Sequence, residues 1–258
     1  VEIGVARQEG MQGAVLVTGG AKRIGRAISL RLADEGFPVV VHYRSSSEEA
    51  METMRMIEKQ GGSAACVGAD LGNIPEVENL LDSASKAIGT PIMGIINNAS
   101  LYIHDRLDTM NPKVWTDHMQ VNVFAPLILT NSLSSNGGGW IVNILDYKIA
   151  SPNADFLSYT ISKFALEGAT MTLAKDLAPG VRINAVAPGH TLGSDHLDDD
   201  GLSEAQISAP LGIGPTPRDI ADAVAYLASA KAVTGQTIYV DGGERLRQRD
   251  RDPAFEVI

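Results

Sequence analysis

Ala14-Val15-Leu16-Val17-Thr18-Gly19-Gly20-Ala21-Lys22-Arg23-Ile24-Gly25 is the stretch on which the reading of this chain turns. Ala14–Thr18 is a short apolar run rich in β-branched residues and ends in two glycines. Ile24–Glu35 follows with apolar side chains at Ile24, Ala27, Ile28 and Leu32, a helical spacing that Gly36 stops. Strand, glycine turn and helix therefore succeed one another within about twenty residues. Glycines let a backbone turn tightly and approach a ligand closely. The helix start offers free N–H groups and the positive end of its dipole, which suits a pyrophosphate. Glycines alone would equally describe an ordinary strand-to-helix turn. Their place at the head of an alternating chain is what favours the phosphate.

Outward from that point the alternation continues. Pro38–Tyr43, Ser63–Gly68, Ile92–Asn97, Trp140–Leu145, Arg182–Ala187 and Gln236–Val240 are predicted strands. Ser46–Gln60, Pro75–Ile88, Lys113–Leu133, Leu157–Leu177 and Arg218–Ala228 are predicted helices, with Pro126 expected to kink or break the third of these. The strands are apolar throughout rather than alternating, so both faces are expected to be covered, as in a parallel sheet between helices. With no break in composition, the fold class is α/β: a single-domain, Rossmann-type, doubly wound parallel sheet flanked by helices. A (β/α)8 barrel is the alternative. The main body is expected over residues 11–243, with 1–10 a disordered extension before Met11. Residues 189–213, acidic and glycine-containing, are expected to form a mobile substrate flap, and 244–258 a tail.

Composition narrows the function classes. A chain of 258 residues buries enough surface to need no disulfide, and the lone Cys66 permits neither an internal disulfide nor a cysteine zinc site, which fits a cytoplasmic setting. Cys66 reads as a small buried hydrophobe. No apolar run approaches the ~20 residues of a membrane span, and VEIGVARQEG has no secretory core. The formal charge of 21 − 31 = −10 argues against nucleic acid as a general partner, because a phosphate backbone needs a basic face. His42, His104, His118, His190 and His196 show no ligand spacing, and Asp195 and Asp199 beside His196 read as solvated acid rather than a cation site, so no metal is expected.

Local positive charge departs from that balance. The second strand ends Tyr43-Arg44-Ser45, where an acidic residue would bind the ribose hydroxyls of NAD. Arg44 and Ser45, faced by Lys22 and Arg23, form instead a pocket for a 2′-phosphate, which favours NADPH. Further on, Tyr159 and Lys163 stand at i and i+4, on one helix face. A lysine charge beside a phenol is expected to lower its pKa from ~10 toward neutrality, making it a proton donor at physiological pH.

With these motifs in hand, the chain from Ala14 to about Gly243 resembles the short-chain dehydrogenase/reductase family. Asp70-Leu71 is similar to the family's adenine-contacting pair. Asn97-Asn98-Ala99-Ser100 resembles its N-N-A-G turn, Asn122 its proton-relay asparagine, and Pro188-Gly189, followed by His190 and Thr191, its nicotinamide border. Asp241-Gly242-Gly243 is similar to the end of its last strand. Two positions depart. Arg23 stands where the family usually has a third glycine, and Asp146 stands where it has a catalytic serine. An ionised aspartate cannot donate to a carbonyl oxygen and opposes negative charge developing there, so it suits a substrate with N–H groups or a ring nitrogen needing a proton.

T-G-G-A-K-R-I-G, H-Y-R-S, N-N-A-S, Asp146-Tyr147 and D-G-G-x-R-L-R together resemble the pteridine reductases and bacterial dihydromonapterin/dihydrofolate reductases of that family. This resemblance implies NADPH-dependent reduction of a dihydropterin at a C=N bond, with Asp146, Tyr159, Lys163 and Asn122 as catalytic residues. It implies cofactor contacts from Gly19, Lys22, Arg23, Ile24, Tyr43, Arg44, Ser45, Asp70, Leu71, Asn98, Ala99, Ser100, Tyr159, Lys163, Pro188, Gly189 and Thr191. Arg23, Ser100, Tyr102, Asp146 and Tyr159 would meet the substrate, with Tyr102 stacking on the pterin. A homotetramer is implied, in which a neighbour's C-terminal arginine comes near the active site. Simpler readings stay open: Asp146 capping its loop, Tyr102 a surface aromatic, and Arg245, Arg247, Arg249 and Arg251 a solvated tail. A carbonyl reductase such as a 3-oxoacyl reductase, or a non-catalytic NADPH-binding regulator, are the alternative functions.

Overall fold

A computed structural model describes residues 13–255. The expected N-terminal extension at 1–10 and the last three residues of the tail lie outside the described residues. Seven strands form one open sheet: β1 (Ala14–Val17), β2 (Val39–Tyr43), β3 (Ala64–Gly68), β4 (Ile92–Asn97), β5 (Gly139–Ile144), β6 (Val181–Pro188) and β7 (Thr237–Val240). Their order is β3-β2-β1-β4-β5-β6-β7, and every pairing is parallel. The sheet has two edges, so the barrel alternative falls and the doubly wound reading stands.

The period of two along each strand divides the core. Val15, Val17, Val39, Val41 and Val142 face α1 (Arg23–Asp34), α2 (Ser47–Lys59) and α8 (Pro217–Ser229), where Ile28, Leu32, Ile57, Val224 and Leu227 wait. Leu16, Val40, Ile95, Ile141 and Ile183 face α3 (Ile74–Ile88), α5 (Ala125–Ser135) and α6 (Leu157–Asp176), which supply Val77, Leu80, Leu129 and Leu133. Each such side chain contributes roughly 1.5–3 kcal/mol by leaving water. Strand order reverses between β1 and β4. In an open α/β sheet, the crevice beyond the carboxyl ends of those strands is where ligands bind.

Three segments differ from expectation. The helix expected over 113–133 is two helices, α4 (Pro112–Met119) and α5, joined by a π-turn at Gln120–Phe124. Pro126 has no N–H to continue the ladder and sits in the first turn of α5, where that loss costs least. The acidic stretch 189–213 carries a formed helix, α7 (Asp199–Ile207), capped by the Asp198 carboxylate on the Gly201 N–H at 2.9 Å and seated by buried Leu197, Ala205 and Ala209. Residues 244–255 are not a solvated tail. They make two 3-10 turns, and their charges are drawn into specific pairs: Arg245 with Asp241 at 2.9 Å, Arg247 with the Ser208 carbonyl, and Arg251 with Asp155 at 2.8 Å. No helix among the described residues is long and apolar enough to cross a membrane.

Candidate active site

The turn after β1 shows why glycine is needed there. Gly19 has φ +62°, and a Cβ on it would come 3.1 Å from Ala99 Cα; a Cβ on Gly25 would come 2.1 Å from the Gly19 carbonyl oxygen. Helix α1 thus starts hard against the turn. Thr18 braces the facing loop: its Oγ1 donates to the Ile96 carbonyl and accepts from the N–H groups of Asn98 and Ala99 at 3.0 and 3.1 Å. Asn98 returns its amide to the carbonyls of Thr18 and Gly19. The residues expected at the cofactor are brought together here. Gly19, Lys22, Arg23, Ile24, Tyr43, Arg44, Ser45, Asp70, Leu71, Asn98, Ala99 and Ser100 line one cleft of about 410 Å³.

That cleft fits a phosphorylated dinucleotide on its donor set. Lys22, Arg23 and Arg44 are exposed at its mouth, and Lys22 and Arg44 make no ion pair among the described residues of an otherwise acidic chain. One Asp70 carboxylate oxygen accepts from the Gly72 N–H at 2.8 Å.

His42 was not among the expected site residues. Its Nδ1 accepts from the Gly19 N–H at 3.1 Å, and Nε2 lies 3.0 Å from the Ala69 carbonyl, which fixes the neutral tautomer with its proton on Nε2. Burial lowers its pKa to about 4. A polar residue inside the apolar run VVVHY is the signal that marks it.

A second cleft of about 330 Å³ adjoins the first, sharing Arg23, Ile24, Asn98 and Ser100 with it. It holds Tyr102, Asp146, Tyr159, Lys163, Pro188, Gly189, His190 and Thr191, and also Lys148 and Asp252, which sequence reasoning did not single out. Asp146 closes β5. One of its oxygens accepts from the Tyr159 hydroxyl at 2.7 Å and the other from the Lys148 N–H at 2.9 Å. One oxygen thus caps the loop after β5, and the other is bonded to the Tyr159 hydroxyl inside the cleft. Lys163 donates to the Ile144 carbonyl at 2.8 Å, with Nζ 5.4 Å from the Tyr159 ring centre.

The electrostatics reverse one expectation. Burial, and then the charge and hydrogen bond of Asp146, push the Tyr159 phenol well above its ordinary range. The i, i+4 spacing does bring Lys163 alongside, but its ammonium points at Ile144 and not at the phenol oxygen. Burial lowers Lys163 to about 8 and raises the Asp146 carboxyl, the latter opposed by the Lys148 N–H, the Lys148 charge and the Tyr159 hydroxyl. Asp146 and Tyr159 thus share one hydrogen bond, with both groups shifted toward their protonated forms. Burial draws His190 down, but the Glu244 carboxylate at 2.7 Å, with Asp252 and Asp146 nearby, more than offsets it and leaves the ring above its ordinary value.

Asn122, in the π-turn, accepts from the Leu101 N–H at 2.7 Å and donates to the Leu101 carbonyl and Ser162 Oγ. Its side chain braces the loop carrying Ser100 and Tyr102, and none of these bonds goes to Lys163. Tyr102 stacks on Phe156, ring centres 4.1 Å apart, and meets the Tyr159 ring edge-on at 4.7 Å. Arg23 donates to the Gly193 carbonyl at 2.7 Å, tying the phosphate turn to the 189–213 segment. Among the described residues only Arg23 (φ +55°) and Phe156 (φ +58°) are non-glycine residues with positive φ. Such strain gathers at functional sites: Arg23 lines both clefts, and Phe156 backs Tyr102 in the second. The left-handed backbone at Arg23 is also the physical reason that a glycine suits this position. No group of three or more His, Cys, Asp or Glu among the described residues could hold a metal.

The family model described as enoyl-(acyl carrier protein) reductase matches residues 19–244. Among solved structures, the FolM alternative dihydrofolate reductase 1 of Brucella suis, in complex with NADP, is 38% identical with a TM-score of 0.88, over 92% of this chain and 96% of that one. The 3beta-hydroxysteroid dehydrogenase 1 of Eggerthella lenta is 35% identical over 90% of this chain and 93% of its own. The 3-oxoacyl-[acyl-carrier-protein] reductase FabG of Staphylococcus epidermidis is 33% identical over 90% and 99%.

Proposed function

Since the chain belongs to the short-chain dehydrogenase/reductase family, we propose that it is an NADPH-dependent reductase of a dihydropterin, taking a C=N bond to C–N–H. The observation that carries this reading is the Asp146 carboxylate accepting from the Tyr159 hydroxyl at 2.7 Å. A site for ketones needs hydroxyl donors aimed at the carbonyl oxygen. Here the donor is already engaged by a carboxyl group, which suits a substrate presenting N–H groups and a basic ring nitrogen. The NADP-bound FolM structures, each 38% identical, support both cofactor and substrate class.

NADPH, when bound, supplies the hydride. The chain's own residues do the remainder. Lys22, Arg44 and Ser45 would hold the 2′-phosphate, and Gly19 with the start of α1 the pyrophosphate. Pro188, Gly189 and Thr191, with Asn98, Ala99 and Ser100, border the nicotinamide side. Lys163 orients the nicotinamide ribose. The proton shared by Asp146 and Tyr159 goes to the ring nitrogen next to the carbon that receives the hydride, and solvent replaces it. Asn122 fixes the loop bearing Ser100 and Tyr102. The exposed edge of Tyr102 and the Arg23 guanidinium bound the pterin.

A 3-oxoacyl or other ketone reductase is the second reading, favoured by the names of the curated relatives at 33–35% identity. One comparison separates them. The wild-type protein with NADPH is expected to turn over dihydrobiopterin, dihydromonapterin or dihydrofolate and to leave 3-oxoacyl thioesters untouched. Asp146→Ser is expected to lose pterin reduction by about 10²–10⁴-fold and to gain activity on ketones. A wild type that reduces only ketones sinks the pterin reading.

A further inference from the structure

Lys148 is 2% exposed and takes no part in the mechanism above. Its ammonium donates to Asp252 at 2.7 Å and to the Asp155 carbonyl at 3.2 Å, and it lies 4.9 Å from the Phe156 ring centre. Its backbone N–H is the donor that fixes the second oxygen of Asp146. One residue therefore grips both the reacting carboxyl and the C-terminal segment, 104 residues away in sequence.

Asp252 is equally buried. Its other oxygen accepts from the Ala254 N–H at 3.1 Å and stands 4.0 Å from His190 Nε2, while its own N–H donates to Asp155. Arg251 clamps the same Asp155 with two donors at 2.8 and 3.0 Å. Asp252 and Ala254 form part of the wall of the cleft that holds Asp146 and Tyr159.

An ion pair this deep is a poor source of stability, because desolvating both charges offsets their attraction, and apolar replacements often do as well. What it does supply is a fixed position and a fixed local potential. We propose that Lys148 and Asp252 are positioning residues for the reaction: the buried pair latches the chain's own C-terminal segment as a wall of the substrate cleft and sets the orientation and protonation of Asp146. This rests on Asp146 and Tyr159 carrying the proton, and holds whichever substrate they serve. Facing Asp146 are Tyr159 and Lys163 from α6, Tyr147 and Lys148 from the loop after β5, His190 beyond β6 with Glu244 behind it, and Asp252. The Lys148 charge favours the Asp146 carboxylate, whereas Asp252, a like charge on the wall of the same cleft, opposes it.

The test uses Lys148→Gln and Asp252→Asn in the full chain, assayed with NADPH on both dihydrobiopterin and a 3-oxoacyl thioester. Activity that needs a proton on the Asp146–Tyr159 pair falls at alkaline pH. The midpoint of that fall is expected to move up in Lys148→Gln and down in Asp252→Asn, by about half a pH unit or more. In both, kcat is expected to fall at least about tenfold and NADPH affinity to stay within about twofold. A carboxyl 13C titration of Asp146, identified by difference from Asp146→Asn, reads the same shifts without turnover. If a single variant does not fold, Lys148→Gln/Asp252→Asn keeps the volume, and its Asp146 midpoint is expected above wild type. Unmoved midpoints, with loss of thermal stability alone, would overturn the proposal. Wild-type turnover of the thioester and not the pterin defeats only the substrate reading, and the latch is then read on the thioester.

Discussion

His42 is a single side chain whose chemistry shows at bulk scale. Neutral, it accepts the Gly19 N–H and donates to Ala69; protonated, it loses the first bond and becomes a buried cation. Its pKa falls from 6.5 to about 4 on folding, so the unfolded chain binds the extra proton between those values. Stability from this group is complete above about pH 6.5 and is lost as pH falls toward 4, by about 3 kcal/mol in all. Urea unfolding at pH 7 and pH 4.5 checks it: His42→Phe is expected to be less stable than wild type at pH 7 and to lose less between the two values. In the sequence the residue shows as a polar interruption of the apolar run VVVHY, but its role depends on a loop 23 residues earlier. Asp146 was legible as the departure that matters, whereas the rise in the Tyr159 pKa was not. Spacing gives the Tyr159–Lys163 neighbourhood, but not where an ammonium points or how much water reaches a phenol.

The strand–turn–helix unit of β1 and α1 was read within one residue at its ends, since its signals are local: β-branched residues, glycines, helical periodicity. Its tolerance for change is correspondingly small. Gly25→Ala puts a methyl group 2.1 Å from the Gly19 carbonyl, so the helix start must move off the turn. The expected result is a destabilisation of about 1–3 kcal/mol with NADPH binding weakened at least about tenfold, measured by thermal melting and by fluorescence titration. The π-turn at Gln120–Phe124 was half legible. Pro126 announces a break, but the choice between a bend and a widened turn depends on Asn122 being tied to Leu101 across the loop, a contact between elements. Helix α7 was hidden by its composition, GSDHLDDDGLSE. Asp and Gly read as loop, but Asp198 here is a cap and Ala205 finds a pocket.

For the whole molecule, the outer face of α6 is the feature without an internal explanation. Tyr159 and Lys163 turn inward, whereas Ile161, Phe164 and Met171 are 36%, 39% and 62% exposed and Gly168 between them has open space above it. Such a stripe gives the homotetramer that the family resemblance implies a surface on which α6 helices would meet. Sedimentation is expected to give four copies of the 27.3 kDa chain, and Phe164→Glu with Met171→Glu to give smaller species; a monomeric wild type would remove the proposal. The alternating sheet was readable at this scale because parallel strands buried on both faces leave an apolar signature. The fate of the last residues was not, since Asp252 finds Lys148 only once the sheet exists. That return of the chain end bears on how the protein can be handled. Ala254 lines the cleft and Phe255 packs on His104 with ring centres 4.4 Å apart, so bulk joined directly after Phe255 would be tethered beside the cleft. Gly13, just ahead of the amino end of β1 beside Pro91, lies on the opposite rim of the sheet, where added bulk leaves that cleft clear.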